Sequence, residues 1–206
     1  MSFLEGILDC FIKGGVMMYP LLLCSVVLVT LGAERYLFYK RADSGAEFLE
    51  RFTGFLENGR TEQAKEYAAH SGGLAAEMAA DVMDKMRGSP DKTDFYIAAK
   101  SERAVDKLEE YISYIAVIVT LAPVLGLLGT ITGMIASFSV LDQRAENPMA
   151  VTVGVGEALI TTVFGLCVSV VAICIHTYFA QRLKAATLNI EETGNALLQS
   201  VDGFKK

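Results

Sequence analysis

From Tyr111 to Leu141 the chain carries no charged side chain. As a helix at about 1.5 Å per residue, that run is roughly 46 Å long, well beyond a hydrocarbon core of about 30 Å. It is therefore read as a membrane span with length to spare. Its middle, Leu121 to Gly133, reads LAPVLGLLGTITG. Pro123 removes a backbone donor there and leaves the carbonyl of Val119 without its usual helical partner. Gly126, Gly129, Thr130, Gly133 and Ser137 recur at helical spacing and form one narrow face of small residues. Gly129 and Gly133 make a GxxxG pair, which lets another helix approach closely. A helix that only faces lipid has no use for such a face. One packed against other helices, or lining a path for water or ions, does.

Two more apolar runs accompany this one. Gly14 to Ala33 is uncharged, and Met149 to Gln181 is interrupted only by Glu157 and His176. With 52% hydrophobic residues and a mean hydropathy of +0.39, the chain is too apolar for an ordinary soluble domain. The expected fold is an all-α membrane protein. It has three transmembrane helices, a helical insert on the cytoplasmic side, and a long helix continuous with the second span. The boundaries are an N-terminal segment 1–13, span one over 14–39, a helical domain over 40–92, a long helix 93–141 ending in span two, a turn 142–148, span three over 149–181, and a tail helix 182–206. The first 13 residues carry Glu5, Asp9 and Lys13 without a basic leader, so no cleaved signal peptide is expected.

The insert is polar and acidic. Residues 42–110 hold 15 acidic and 9 basic side chains, and their difference of −6 equals the net charge of the whole chain. No basic surface suited to nucleic acid is apparent. Phe48, Leu49, Phe52, Phe55 and Leu56 share one helical face, with Asn58-Gly59 as its stop; Leu74, Met78, Val82, Met83 and Met86 share another. Both read as the core of a small domain. From Thr93 on, Phe95, Ala98, Ala99, Val105, Leu108, Ile112 and Ile115 continue a helical stripe, with no breaker before Pro123. Cys10, Cys24, Cys167 and Cys174 fit neither a disulfide framework nor a zinc site and read as buried free thiols.

Orientation follows from Lys and Arg. Arg35, Lys40, Arg41 and Arg51 follow span one; Lys100, Arg103 and Lys107 precede span two; Arg182 and Lys184 follow span three. Residues 34–110 and the tail are thus expected in the cytoplasm, and the N-terminus and the turn at 142–148 outside.

Span three has its own small face. Gly154, Ala158, Thr161, Thr162, Gly165, Ser169, Ala172 and His176 fall within about 100° of one another around a helix, and Glu157 borders the arc. A carboxylate inside a span costs about 2.5–3.5 kcal/mol on insertion scales, so Glu157 should face protein or water, as a proton or cation relay or as an acceptor paired with a neighbouring subunit. Ser169 and His176 share a face but stand about 10 Å apart along the axis, too far for a nucleophile and its base. No phosphate loop, metal-ligand cluster or cofactor motif appears, and an enzyme is not expected.

Two stretches, APVLGLLGTITGMIASF at 122–138 and GVGEALITTVFGL at 154–166, resemble the MotA/TolQ/ExbB proton channel family, and within it the three-span ExbB and TolQ branch. The span order and the helical insert match the same branch. The resemblance implies a homo-oligomer of the bacterial inner membrane, typically a pentamer, whose second and third spans line a pore. It also implies a single-span partner of the ExbD or TolR type with a membrane aspartate. Thr130 and Thr162 stand at the family's polar pore positions, Pro123 at its span-two proline, and Glu157 at its span-three glutamate. Thr161 adds a hydroxyl where alanine is more usual. Gly126, Gly129, Gly133 and Gly165 are the expected packing positions beside them. The implied function is a motor subunit that turns the proton motive force into mechanical work for energised transport or envelope function. Two other readings remain open: a small secondary transporter with a site at the Pro123 break, and a scaffold whose small faces only pack.

Overall fold

The computed structural model describes residues 14–86, 92–143 and 148–204, without the side chains of 140–143, 148–153, 157 and 201–204. Expectations for residues 1–13, Cys10 among them, and for most of the turn 142–148 fall outside the described residues. The described chain is helical and contains no strand. Its helices are α1 (Met18–Ala42), α2 (Gly45–Glu57), α3 (Thr61–His70), α4 (Leu74–Met86), α5 (Thr93–Glu109), α6 (Ile112–Gln143) and α7 (Pro148–Phe204). They sort into two compact units, one of residues 1–33 and 113–177, the other of 34–112 and 178–206.

The first unit holds the apolar parts of α1, α6 and α7. The chain has three helical stretches long and apolar enough to cross a membrane, with mean hydropathies of 1.7, 2.2 and 2.6. Of the 18-residue apolar window in each, only 17%, 28% and 33% is buried in the protomer. Hydrophobicity here is therefore not spent on an interior. Leu22 and Leu23 of α1, Val124 and Ile135 of α6, and Val163 and Val170 of α7 all point outward. That pattern suits lipid or neighbouring subunits. What the unit does bury combines small residues, Ala122, Ala158, Thr161, Ser169 and Ala172, with Met18, Leu21 and Leu28 of α1 and Ile115 of α6. Cys167 and Cys174 are exposed on this outer surface and Cys24 is half-buried, so the described thiols are not core residues as expected.

The second unit has an ordinary core. Phe48, Phe52 and Leu56 of α2 are buried, with Phe48 stacked on Phe52 at 5.3 Å and on Tyr67 of α3 at 5.7 Å. Leu74, Met78, Val82 and Met83 of α4 are buried as the periodicity requires. The α4 N-terminus is capped from outside its own sequence, where the Ala76 amide donates to Ser44 Oγ at 3.3 Å. That approach needs Gly73, at φ 99°, because a Cβ there would meet the Ser44 backbone nitrogen at 2.6 Å. Lys100 donates to the Asp81 carboxylate, which holds that carboxyl below its usual range. The buried stripe of α5 is Thr93, Ile97, Ala104 and Leu108; Leu108, Ile112 and Ile115 are buried as expected, whereas Phe95 is 69% exposed and Ala98, Ala99 and Val105 are not buried. The C-terminal part of α7 contributes Ala186, Ile190, Thr193 and Leu197 to this core. No helix break separates span three from the tail, since α7 is one helix, while the division between the two units falls between residues 177 and 178.

The long helix expected over 93–141 is interrupted once. Glu110 takes φ −50°, ψ 135° and Tyr111 takes φ 65°. These are the angles at the centre of a type II turn, where glycine or asparagine usually supplies the positive φ. Glu110 still donates to Asp106 O at 3.1 Å, but the turn carries the next amides away from the axis of α5. The Lys107 and Leu108 carbonyls, acceptors for residues 111 and 112 in an unbroken helix, take side-chain donors instead. Arg35 Nη1 donates to Lys107 O at 3.2 Å, and Tyr39 Oη donates to Leu108 O at 2.8 Å. Residues 105–115 contain no glycine, proline or asparagine at this break.

Candidate functional site

The two small faces meet each other inside one protomer. Along α6 and α7 the backbones approach so closely that several glycines admit no side chain. A Cβ on Gly165 would lie 2.6 Å from Ala122 O and 3.0 Å from Gly126 Cα. One on Gly129 would lie 2.5 Å from Thr161 Cγ2, and one on Gly133 2.8 Å from Ala158 Cβ. Each of these is inside van der Waals contact, and the Gly165 neighbours are backbone that cannot swing aside. The helices are thus held at glycine-to-backbone distance, the geometry expected for small-residue packing in a membrane.

Hydroxyls stitch this seam to backbone carbonyls. Thr162 Oγ1 donates to Gly126 O at 2.8 Å, and Ser169 Oγ donates to Val119 O at 2.8 Å. The second bond answers Pro123 directly, since Val119 is the carbonyl that the proline leaves without an amide. α6 continues as a helix through Pro123, and the freed acceptor is satisfied from α7. Ser169 lay on the predicted small face, but no local signal marked it as the partner of Val119. Thr161 Oγ1 donates to Gly14 O at 2.7 Å and is 1% exposed. It ties the chain ahead of α1 to α7, and its side chain reaches no surface of the protomer.

Thr130 and Thr162 differ from Thr161 in being half-buried. Thr130 Oγ1 donates to Leu127 O of its own helix at 2.6 Å. Its amide is one helical turn after Gly126 O, the acceptor of Thr162, so the two threonines lie within about a turn of each other along α6. A carbonyl cannot donate, so both hydroxyl protons are committed to the backbone. What Thr130 and Thr162 present outward is lone pairs. Glu157 belongs to α7, and its side chain lies outside the described residues. Among the described residues no group of His, Cys, Asp or Glu is arranged to hold a metal ion.

The Ser169 bond predicts a coupling. Ser169→Ala should destabilise the protein by about 0.6–1.7 kcal/mol, the range for interhelical hydrogen bonds in bilayers. With Pro123→Ala already in place, an amide reaches Val119 O and the same change should cost much less. Denaturation of the two single variants and the double measures this. Strictly additive effects would mean that Ser169 does not serve the proline's acceptor.

Residues 69–192 match the MotA/TolQ/ExbB proton channel family. A putative biopolymer transport protein ExbB-like 1 of Synechocystis sp. is 34% identical over 175 residues, covering 82% of this chain and 68% of that protein. The biopolymer transport protein ExbB of Salmonella typhimurium is 33% identical over 122 residues, 56% of this chain and 48% of its own. The Tol-Pal system protein TolQ of Haemophilus influenzae is 29% identical over 84 residues, 40% and 37% of the two chains. The chain thus spans about two-thirds of the Synechocystis relative's length and half or less of the other two.

Proposed function

Because the chain belongs to the MotA/TolQ/ExbB proton channel family, we propose that this multi-pass membrane protein is the ring subunit of a proton-driven motor of the inner membrane. Several copies, five by resemblance to the family, would surround one pore with α6 and α7 turned toward it. The N-terminus would lie outside and the C-terminus in the cytoplasm. A single-span partner of the ExbD or TolR type would stand in the pore and bring a membrane aspartate. The work done would be energised transport or an envelope function.

The observation that carries this reading is the chemistry of Thr130 and Thr162. Residues 112–141 contain no carboxylate, so α6 supplies no proton-carrying group of its own at that depth. The threonines supply acceptors. A neutral carboxylic acid or a water can donate to their lone pairs, whereas a carboxylate finds no donor there. The partner's aspartate would therefore be favoured as the neutral acid beside them and would ionise where water or another donor is available. Each proton that crosses releases about 2.3 kcal/mol per 100 mV, which repeated protonation can convert into rotation of the partner. Glu157 would act nearer the outer end of the path. Thr161, buried behind the seam, is assigned packing rather than lining. The alternative of a small secondary transporter or permease subunit placed its site at a broken helix near Pro123; α6 runs through Pro123 as one helix, and the Val119 carbonyl accepts from Ser169.

The deciding experiment is proton flux into liposomes under an imposed potential. Flux should be near background for this protein alone and rise when the single-span partner is co-reconstituted. Full flux without the partner, or none with it, would overturn the reading.

A further inference from the structure

Beside α1 and α7 lies a cavity of about 390 Å³, lined from residues 36–45 and 178–182 and so contained in the second unit. Its volume falls in the range of small-ligand sites. Each of the two long helices brings a tyrosine and a cation to it, one helical turn apart. Tyr36 and Lys40 come from α1, and Tyr178 and Arg182 from α7. The stacked rings of Tyr39 and Phe179 line it as well.

The charges in this cavity do not cancel. Arg182 Nη1 lies 3.7 Å from Asp43 Oδ2, and Asp43 Oδ1 accepts from the Gly45 amide at 2.9 Å. Both carboxylate oxygens therefore have partners already. At 3.7 Å the Arg182 contact is longer than a hydrogen bond, so the guanidinium keeps donors to give. Lys40 has no ion-pair partner among the described residues. Two cations against one carboxylate leave one positive charge unmatched. A monoanion rich in acceptor oxygens, such as a phosphodiester, answers that balance.

Depth selects which phosphodiester. Tyr36 stands within one turn after the uncharged run 14–33, and Tyr178 within one turn of the end of the apolar run 149–181. Both rings are exposed, at 55% and 43%. Tyrosines at the ends of membrane spans sit at headgroup level, and the cations beside them can reach the phosphate layer. We propose that this cavity binds the headgroup phosphate of an anionic phospholipid. Lys40 and Arg182 supply the cationic contacts, and Tyr36 and Tyr178 hydroxyl donors. The proposed orientation enters only in choosing the leaflet: it places the cavity on the cytoplasmic side, where anionic lipids give the membrane its negative surface.

Binding of lipid to the full-length protein in a non-ionic detergent, counted by native mass spectrometry, tests this. It reads no proton flux, so a failure here leaves the motor reading standing. Dioleoyl phosphatidylglycerol should bind more tightly than dioleoyl phosphatidylethanolamine and should resist displacement by equimolar inorganic phosphate. Lys40→Gln and Arg182→Gln should each weaken that binding about fivefold, the effect of one cation at a membrane surface. Both side chains are exposed, so the variants should fold; if Arg182→Gln does not, Lys40→Gln carries the test. Asp43→Asn keeps an acceptor for Gly45, removes the competing charge, and should tighten binding. Arg51→Gln, the same charge change at an exposed residue paired with Glu47, should leave it unchanged. Unchanged affinity in Lys40→Gln overturns the proposal, as does weaker binding in Asp43→Asn. Equal loss in Arg51→Gln would assign the effect to diffuse surface charge, a preference for phosphatidylethanolamine to a zwitterionic site, and displacement by phosphate to a soluble ligand; each of these overturns it too.

Discussion

Valine at position 162 will cut partner-dependent proton flux while leaving the protomer folded and assembled. The side chain keeps its shape and loses its hydroxyl. A neutral acid passing that point loses an acceptor, and an unsatisfied buried donor costs about 1–3 kcal/mol. In rate terms this is roughly a five- to 150-fold loss. The structural cost is smaller. The Gly126 carbonyl gives up the Thr162 bond seen at 2.8 Å but keeps its helical amide, so about 0.6 kcal/mol is expected, the average for such bonds in bilayers. Thr162→Ser should retain flux, since it keeps the hydroxyl. Reconstituted flux, read beside oligomer mass in detergent, separates the two effects. Flux near the unmodified level in Thr162→Val, Thr130→Val and the double variant would remove the threonines from the proton path.

The second large effect belongs to Gly165. A methyl group there would stand 2.6 Å from Ala122 O and 3.2 Å from Gly126 N. Neither neighbour is a side chain that can rotate away, so α6 and α7 must move apart. Overpacking of this kind costs about 1–3 kcal/mol, or a fall in melting temperature of about 2–12 °C for a chain of this size. Separation would also stretch the Thr162–Gly126 and Ser169–Val119 bonds on either side of Gly165 along α7. Gly165→Leu should therefore prevent accumulation of folded protein. Gly156→Ala is the matched control, because a Cβ there meets nothing within 4 Å. It should be neutral or slightly stabilising, as alanine is the better helix former by up to about 1 kcal/mol. Thermal denaturation in one detergent compares the set. An unshifted melt in Gly165→Ala would show that the helices are not held at this distance.

Length, charge and period were enough to place three apolar spans, an acidic helical insert between the first two, and a small face on each of spans two and three. These follow from properties that each segment carries alone: how far an uncharged run extends, and which residues share a side at 100° per residue. The aromatic core of α2 and the methionine stripe of α4 were legible for the same reason. Leu108, Ile112 and Ile115 were placed correctly, but the start of the α5 stripe was not, with Phe95 outward and Ile97 inward, because several apolar residues there offer more than one face, and packing chose between them.

What only the tertiary structure decided is which acceptor each polar group takes. Thr161 reaches back to Gly14 across 147 positions, Ser169 to Val119 across 50, and Arg35 to Lys107 across 72. The closure of the Pro123 break and the division of three threonines into one buried and two at the rim both depend on such pairings. Local sequence states that a hydroxyl, a guanidinium or an orphaned carbonyl needs a partner. With water excluded, that need is strict, but the partner is set by which distant backbone arrives within hydrogen-bonding distance, and only the packed helices fix that.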